Sequence, residues 1–351
     1  MILTPDELRS LVELRHATPH DLLGMHVLGD GAGVVARALL PGAARVQVQP
    51  LGESALPAFE LSQLHDAGLF EGVARDIPQV VPYELIVTNV AGEVRRLRDP
   101  YSFAPTLTEQ DLYLFGKGDE RRIYEKLGAQ LRTVEGVTGA SFAVWAPNAQ
   151  RVSVVGDFNG WDGRRHPLRR LGVSGVWEIF IPEVAEGAHY KFELRNRHGK
   201  IVLKTDPYGQ FFEVAPKNAS IVWNNRKFKW TDGAWLKQRR KRDPLKSPVS
   251  IYELHIGSWR KKSKAESLGY RELAAPLIEY VKQMGFTHVE FMPVAEHAFY
   301  PSWGYQVTGF YAPTSRYGTP EDIRAAQAFA ALENAVGVLD DRGDRVRSVA
   351  H

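Results

Sequence analysis

Two groups of side chains in this sequence have the types and spacing to do chemistry. The first is "GDFNGW" (156–161), Trp177, Lys191 and, further on, Asn218 in "KNASIVW". A pyranose ring presents an apolar C–H face rimmed by hydroxyls, so a site for it needs indoles to stack on and a Lys or Asn to bond the rim. Covering about 100 Å² of sugar face at ~25 cal/mol per Å² supplies on the order of 2.5 kcal/mol, a millimolar-grade contact that helps when repeated along a polymer. Trp161 sits in a polar Gly/Asn turn where no core would hold it. Trp177 has a second reading, as a plug at the end of a β-sandwich. The second group is His255, Glu290, Glu296 and His297. Their spacing matches no ligand pattern such as H-E-x-x-H, so structural polar contacts are the expected role, and neither a metal nor a cofactor is implied.

The elements that must carry the first group are visible as an internal duplication. "GLFEGVARDIPQVVPYELIVTNVAGEVRRLRDPY" (68–101) lies over "GVWEIFIPEVAEGAHYKFELRNRHGKIVLKTDPY" (175–208) at a constant offset of 107, which sets Phe70 on Trp177, Tyr83 on Tyr190 and Asp99 on Asp206. Upstream, "LLPGAARVQV" matches "WAPNAQRVSV" at an offset of 106. Both copies alternate apolar and polar residues between Gly/Pro/Asn turns, which predicts two all-β, immunoglobulin-like sandwiches of about 100 residues each. Only the second copy holds the sugar-binding set; at the positions of Trp177 and Lys191 the first has Phe70 and Glu84.

After the duplication the period changes. "LKQRRKRDPLKSP" (236–248) is dense in charge and punctuated by two prolines, which predicts a solvated linker. It has no aromatic interleaving, so nucleic-acid binding is not expected. Beyond it, "SIYELHIGSW" reads as a strand, and "GYRELAAPLIEYVKQMG" as a helix with Leu273, Leu277, Tyr280, Val281 and Met284 on one face. "THVEFMPV" reads as a second strand, and "NAVGVLDD" (334–341) as a candidate third. This is a βαβ unit with parallel strands.

The totals agree with a folded, multidomain chain. Of 351 residues, 44% are hydrophobic, and 44 basic against 41 acidic residues give +3, too balanced to argue for a nucleic-acid or membrane partner. There is no cysteine, which excludes thiolate metal sites and disulfides and agrees with a cytoplasmic location. The N-terminus reads as a short helix with Thr4 as cap, Pro5 at the first position and Glu7 closing a capping box, and not as a signal peptide; no apolar run approaches the roughly 20 residues of a membrane span.

Together, "HDLLGMH", "SFAVWAPNAQRVSVVGDFNGWDGRRHPL", "DPYG", "SIYELHIGSW" and "GFTHVEFMPVAEHAFYPSWGYQVTGFYAPTSRYGTPED" give the chain, from residue 20 to about 324, a strong resemblance to the bacterial 1,4-α-glucan (glycogen) branching enzymes of the α-amylase-type glycoside hydrolase superfamily. The resemblance implies an N-terminal sandwich, a second sandwich of the starch-binding type, a (β/α)₈ barrel and a C-terminal β-domain. It implies a reaction that cuts an α-1,4 glucan and moves the segment to a 6-hydroxyl, in the retaining manner, with two carboxylates about 5 Å apart. Tyr305 in "WGYQ" matches the family Tyr that stacks on the sugar at the cleavage point. Asp340 falls in register with the Asp of a family motif whose Trp and His this chain replaces. The catalytic carboxylates belong to barrel strands four, five and seven, and about 100 residues follow position 249 where a barrel takes about 250. No catalytic residue is therefore assigned, and a truncation or frame change is expected near 325–330.

The expectation is thus a helix over 1–20, a first sandwich over 21–115, and a second, glycogen-binding sandwich over 116–235. A basic linker follows over 236–248, then the first βα units of an incomplete TIM barrel over 249–324 and a divergent tail over 325–351. The chain is expected to bind α-glucan without catalysis; the alternative is a stand-alone glucan-binding or scaffolding protein. The sequence sets no oligomeric state.

Overall fold

A computed structural model describes residues 3–332, apart from positions 30, 32, 53–55, 242, 244 and 245, together with 337–339. Asp340 and the tail at 341–351 lie outside the described residues. The chain divides into two compact units, Met1–Thr205 and Asp206–His351.

The first unit opens with α1 (Pro5–Val12). Its capping box is complete: the Glu7 amide donates to Thr4 Oγ1 at 3.3 Å and the Thr4 amide to the Glu7 carboxylate at 2.8 Å. Seven strands follow, β1 (Gly24–Val27), β2 (Val34–Leu39), β3 (Ala43–Pro50), β4 (Phe59–His65), β5 (Leu69–Ala74), β6 (Tyr83–Asn89) and β7 (Val94–Arg98). They form one antiparallel sheet in the order β1-β2-β5-β4-β3-β6-β7. Pairing of Val46 with Leu61 and Val48 with Phe59 joins its two halves through hydrogen bonds. Val34, Ala36, Val46, Val48, Phe70, Tyr83 and Leu85 fill its core.

After α2 (Glu109–Lys117), which ends on Gly118 in the left-handed conformation, the second copy follows. It consists of β8 (Gly128–Val134), β9 (Val137–Trp145), β10 (Ala149–Gly156), β11 (Arg169–Arg170), β12 (Val176–Pro182), β13 (His189–Asn196) and β14 (Ile201–Lys204). These make two sheets, β11-β12-β9-β8 and β10-β13-β14. Phe142 of the first meets Tyr190 of the second edge to face at 5.0 Å between ring centres, which places the core between them. On the far side of β12, the buried Glu178 accepts from Thr106 Oγ1 at 2.9 Å and from Arg169 Nε at 2.9 Å, so its charge is compensated.

The two copies share their registers. Ala38 pairs with Phe70 as Val144 pairs with Trp177, and Pro50 with Tyr83 as Gly156 with Tyr190. Even the irregularity between Ala43 and Arg45 recurs between Ala149 and Arg151.

The second unit contains β15 (Ser220–Ile221), α3 (Gly233–Arg240), β16 (Ile251–Leu254), α4 (Ile256–Trp259), α5 (Tyr270–Gln283), β17 (His288–Phe291), β18 (Ala295–His297), β19 (Val307–Pro313), α6 (Pro320–Leu332) and β20 (Gly337–Leu339). Strands β16, β17 and β20 are parallel, with Glu253 opposite Glu290. Helix α5 buries Tyr270, Leu273, Leu277 and Val281 in one cluster with Leu254 and Val289. Met284, placed on that face by its spacing, is instead exposed, because the helix ends at Gln283 and Gly285 turns the chain at φ +77°. The run predicted as a linker is helical over its first part: 234–240 contains no Gly or Pro, and basic residues in the last turn of α3 suit the helix dipole.

Candidate functional site

Strand β10 ends at Gly156, and the turn beyond it is built around Asn159. The Asn159 carbonyl oxygen accepts from the Gly156 amide at 2.9 Å, and its amide donates to Val154 O at 2.9 Å and lies 2.9 Å from His166 Nδ1. Burial, helped by the neighbouring Arg165 charge, pushes the His166 imidazole down to about 3, so it is neutral and free to accept that proton. Trp161 leaves this turn at φ 61°, its amide donating to Gly156 O at 3.0 Å, and its side chain is 41% exposed. The indole N–H donates to Asp157 Oδ1 at 3.2 Å, and Asp157 Oδ2 accepts from the His189 amide at 3.1 Å and faces His189 Nδ1 at 2.8 Å. Burial pulls the Asp157 carboxyl upward, but the hydrogen bonds from His189 and Trp161 together hold it below the usual carboxylate range.

His189 begins β13, and Lys191, half-buried, lies two residues on and therefore on the same face. Leu203 of β14 pairs with Glu193, and Ile201 with Arg195, so both aliphatic side chains stand on that face too, each more than half exposed. The outer side of this sheet thus combines an oriented indole, an imidazole, a lysine and two bare aliphatic residues. Trp161 and Lys191 were read from the sequence; His189, Ile201 and Leu203 were missed, although alternation along β13 and β14 puts them there.

Trp177 is corrected. It is 1% exposed, lies between the sheets and donates its indole N–H to Ala146 O at 3.0 Å, leaving no face for a sugar. Its counterpart Phe70 is equally buried, at 1%, so the duplication itself carried the signal. Asn218 is exposed in the second unit, in a turn where Lys217 pairs with Glu213 at 3.5 Å and the Ala219 amide donates to the same carboxylate at 3.1 Å.

A second cluster of exposed rings stands in the second unit. Trp303 (φ 55°) and Gly304 (φ 91°) are both left-handed, and a Cβ on Gly304 would come within 3.0 Å of Pro293. That turn leaves Tyr305 59% and Trp303 52% exposed, and Trp303 stacks on His255 at 5.7 Å. In the same unit, buried Glu296 accepts from the Ser315 amide at 2.7 Å, Arg316 Nη1 at 3.0 Å and Thr314 Oγ1 at 3.2 Å. Glu296 is therefore consumed by structure, and His297, 2% exposed, is held at Ala295 O by its Nδ1 at 2.9 Å. The sequence singled out Tyr305; the stacking of His255 on Trp303 needed the fold. No group of three or more potential ligands that could hold a metal occurs among the described residues.

Residues 4–101 match the family described as the alpha-1,4-glucan branching enzyme GlgB N-terminal domain, and residues 126–209 match carbohydrate-binding module 48, the isoamylase N-terminal domain. The chain is 50% identical over 323 residues to the 1,4-alpha-glucan branching enzyme GlgB of Myxococcus xanthus, covering 91% of this chain and 43% of that one. It is 48% identical over 340 residues to that of Methylococcus capsulatus, covering 97% and 45%, and 48% identical over 338 residues to that of Rubrobacter xylanophilus, covering 96% and 45%. The chain therefore spans less than half the length of these relatives.

Proposed function

The chain belongs to the 1,4-alpha-glucan branching enzymes of glycogen biosynthesis, matching their N-terminal portion, and on that premise we propose that it recruits α-glucan without cutting it. The observation that carries this reading is Trp161: an indole 41% exposed, fixed in a left-handed turn by Asp157, on a module whose family is named for carbohydrate binding. Fixing the ring before the ligand arrives reduces the ordering cost of binding. Lys191 offers a donor for sugar hydroxyls, the aliphatic pair Ile201 and Leu203 extends the apolar platform, and Asn218 and Tyr305 are assigned further glucan contacts in the second unit.

In this reading the two β modules are immunoglobulin-like folds over 21–115 and 116–235, and the parallel β16–β17–β20 sheet is the start of a barrel whose cutting carboxylates belong to later strands. The segment carrying α1 precedes the first module, the run 236–248 is a connector, and the setting is cytoplasmic. No helix among the described residues is long and apolar enough to cross a membrane. The test has two arms. Gel retardation in glycogen should slow the purified chain, and incubation with amylose should leave its iodine spectrum unchanged. Unretarded migration removes the binding claim, and a blue shift with new α-1,6 ends removes the claim of inactivity.

A further inference from the structure

Within the first unit, a crevice of about 540 Å³ opens between β6, β7 and the β2–β3 turn on one side, and the 158–166 loop with the end of β12 on the other. Its walls are mixed: Pro41, Phe158 and Ile181 are apolar, and Arg95, Arg96, Arg98 and Arg165 also line it, Arg96 and Arg98 from the same face of β7. The facing carboxylates do not match them. Arg95 lies 4.0 Å from Glu93, both exposed, and Arg96, also exposed, lies 3.7 Å from the half-buried Glu84; these long contacts at screened guanidinium groups contribute little. Asp99 is sealed beneath the floor, bound by the Tyr83 hydroxyl and, at 3.0 Å, by the Tyr101 amide. Glu183 is the remaining acid in the lining.

Arg98 is the group without a protein partner. It ends β7 half-buried, opposite Glu84 across the β6–β7 pair, with the Phe103 ring at 5.9 Å, and its Nε has no hydrogen-bond partner. No side-chain hydrogen bond or ion pair to it occurs among the described residues. Without a bonded acid, the terminal N–H groups of this guanidinium are left to donate to an incoming anion. Arg165 Nη2 donates to Pro41 O at 3.1 Å across the crevice, which holds the two walls at a fixed separation.

We propose that this crevice binds a phosphate ester of a sugar, free or as part of a nucleotide, with the phosphate on Arg98 and the sugar against Pro41, Phe158 and Ile181. A planar guanidinium fork suits phosphate oxygens, and the volume exceeds what a bare phosphate fills, lying instead in the range of pockets for small organic ligands. The site is separate from the Trp161 platform and asks for a negative charge that a neutral glucan lacks.

The test is calorimetric titration of the chain with glucose 1-phosphate, adenosine diphosphate, inorganic phosphate, citrate and maltose. At least one of the two esters should bind saturably, roughly fivefold or more tighter than inorganic phosphate, and Arg98→Gln should weaken it roughly tenfold while leaving glycogen retardation unchanged. Which ester binds tighter identifies the source of the phosphate. Arg165→Gln gives a second reading should Arg98→Gln fail to fold, with an expected loss of severalfold. Absence of saturation by either ester, equal binding of inorganic phosphate, citrate or maltose, or unchanged affinity in a folded variant overturns the assignment.

Discussion

Asp157 and Trp161 form a closed unit: the carboxylate that accepts the indole N–H at 3.2 Å on one oxygen holds the start of β13, through His189, on the other. The ring is therefore referenced to the sheet that carries Lys191, although it stands on a turn. Asp157→Ala should release the ring without unfolding the module, since both partners are at least one-third exposed. Glycogen retardation is expected to weaken about two- to fivefold, equivalent to less than about 1 kcal/mol, with little change in melting temperature. A full loss of stability would show that Asp157 serves the core instead.

Trp161 and Trp177 should respond to truncation in opposite ways. Trp161→Ala removes an exposed stacking face, so glycogen retardation falls and the melting temperature holds. Trp177→Ala opens a cavity between two sheets and orphans the Ala146 carbonyl, a change that costs about 3–5 kcal/mol. Thermal melts run beside the gels separate the two, and retained stability in Trp177→Ala would contradict its burial.

That contrast also shows what was legible in the sequence. Constant offsets of 106 and 107 revealed a duplicated β unit, and the registers Ala38 with Phe70 and Val144 with Trp177 repeat it strand for strand. Residue type alone left Trp177 with two readings, sugar contact or plug, because burial depends on which face of β12 a residue takes. Met284 failed for a related reason: helical spacing extends indefinitely on paper, whereas the helix stops at Gln283. The His255–Trp303 stack and the guanidinium-lined crevice join residues 48 or more positions apart, which no local pattern connects.

Glu296 ties the end of β19 and the turn after it back to β18. Its side chain is 8% exposed and accepts from Thr314, Ser315 and Arg316. Glu296→Ala would leave the Arg316 charge, 11% exposed, and a buried amide without their acceptor, a loss on the order of 3–5 kcal/mol. Limited proteolysis should then cut within 293–317 faster than in the parent chain, while the first unit stays intact. Unchanged cleavage would mean that water replaces the carboxylate.

Asp99 should give the first unit an unusual pH dependence. Burial raises its carboxyl to about 6, against the opposing hydrogen bonds from the Tyr83 hydroxyl and the Tyr101 amide. The unfolded chain, with an ordinary carboxyl near 3.9, releases this proton around pH 4, whereas the folded state keeps it until about pH 6. Between those values the folded state binds more protons, so this group's contribution to stability is greatest below about pH 4 and declines as pH rises to about 6. Two pH units at about 1.4 kcal/mol each give a decline of roughly 3 kcal/mol. Asp99→Asn cannot ionise and should remove that slope. Urea midpoints of the parent and the variant, compared at about pH 4 and about pH 6.5, should shift relative to one another in the variant's favour by that amount. A constant difference between them across the window would show that Asp99 is already ionised at the lower pH.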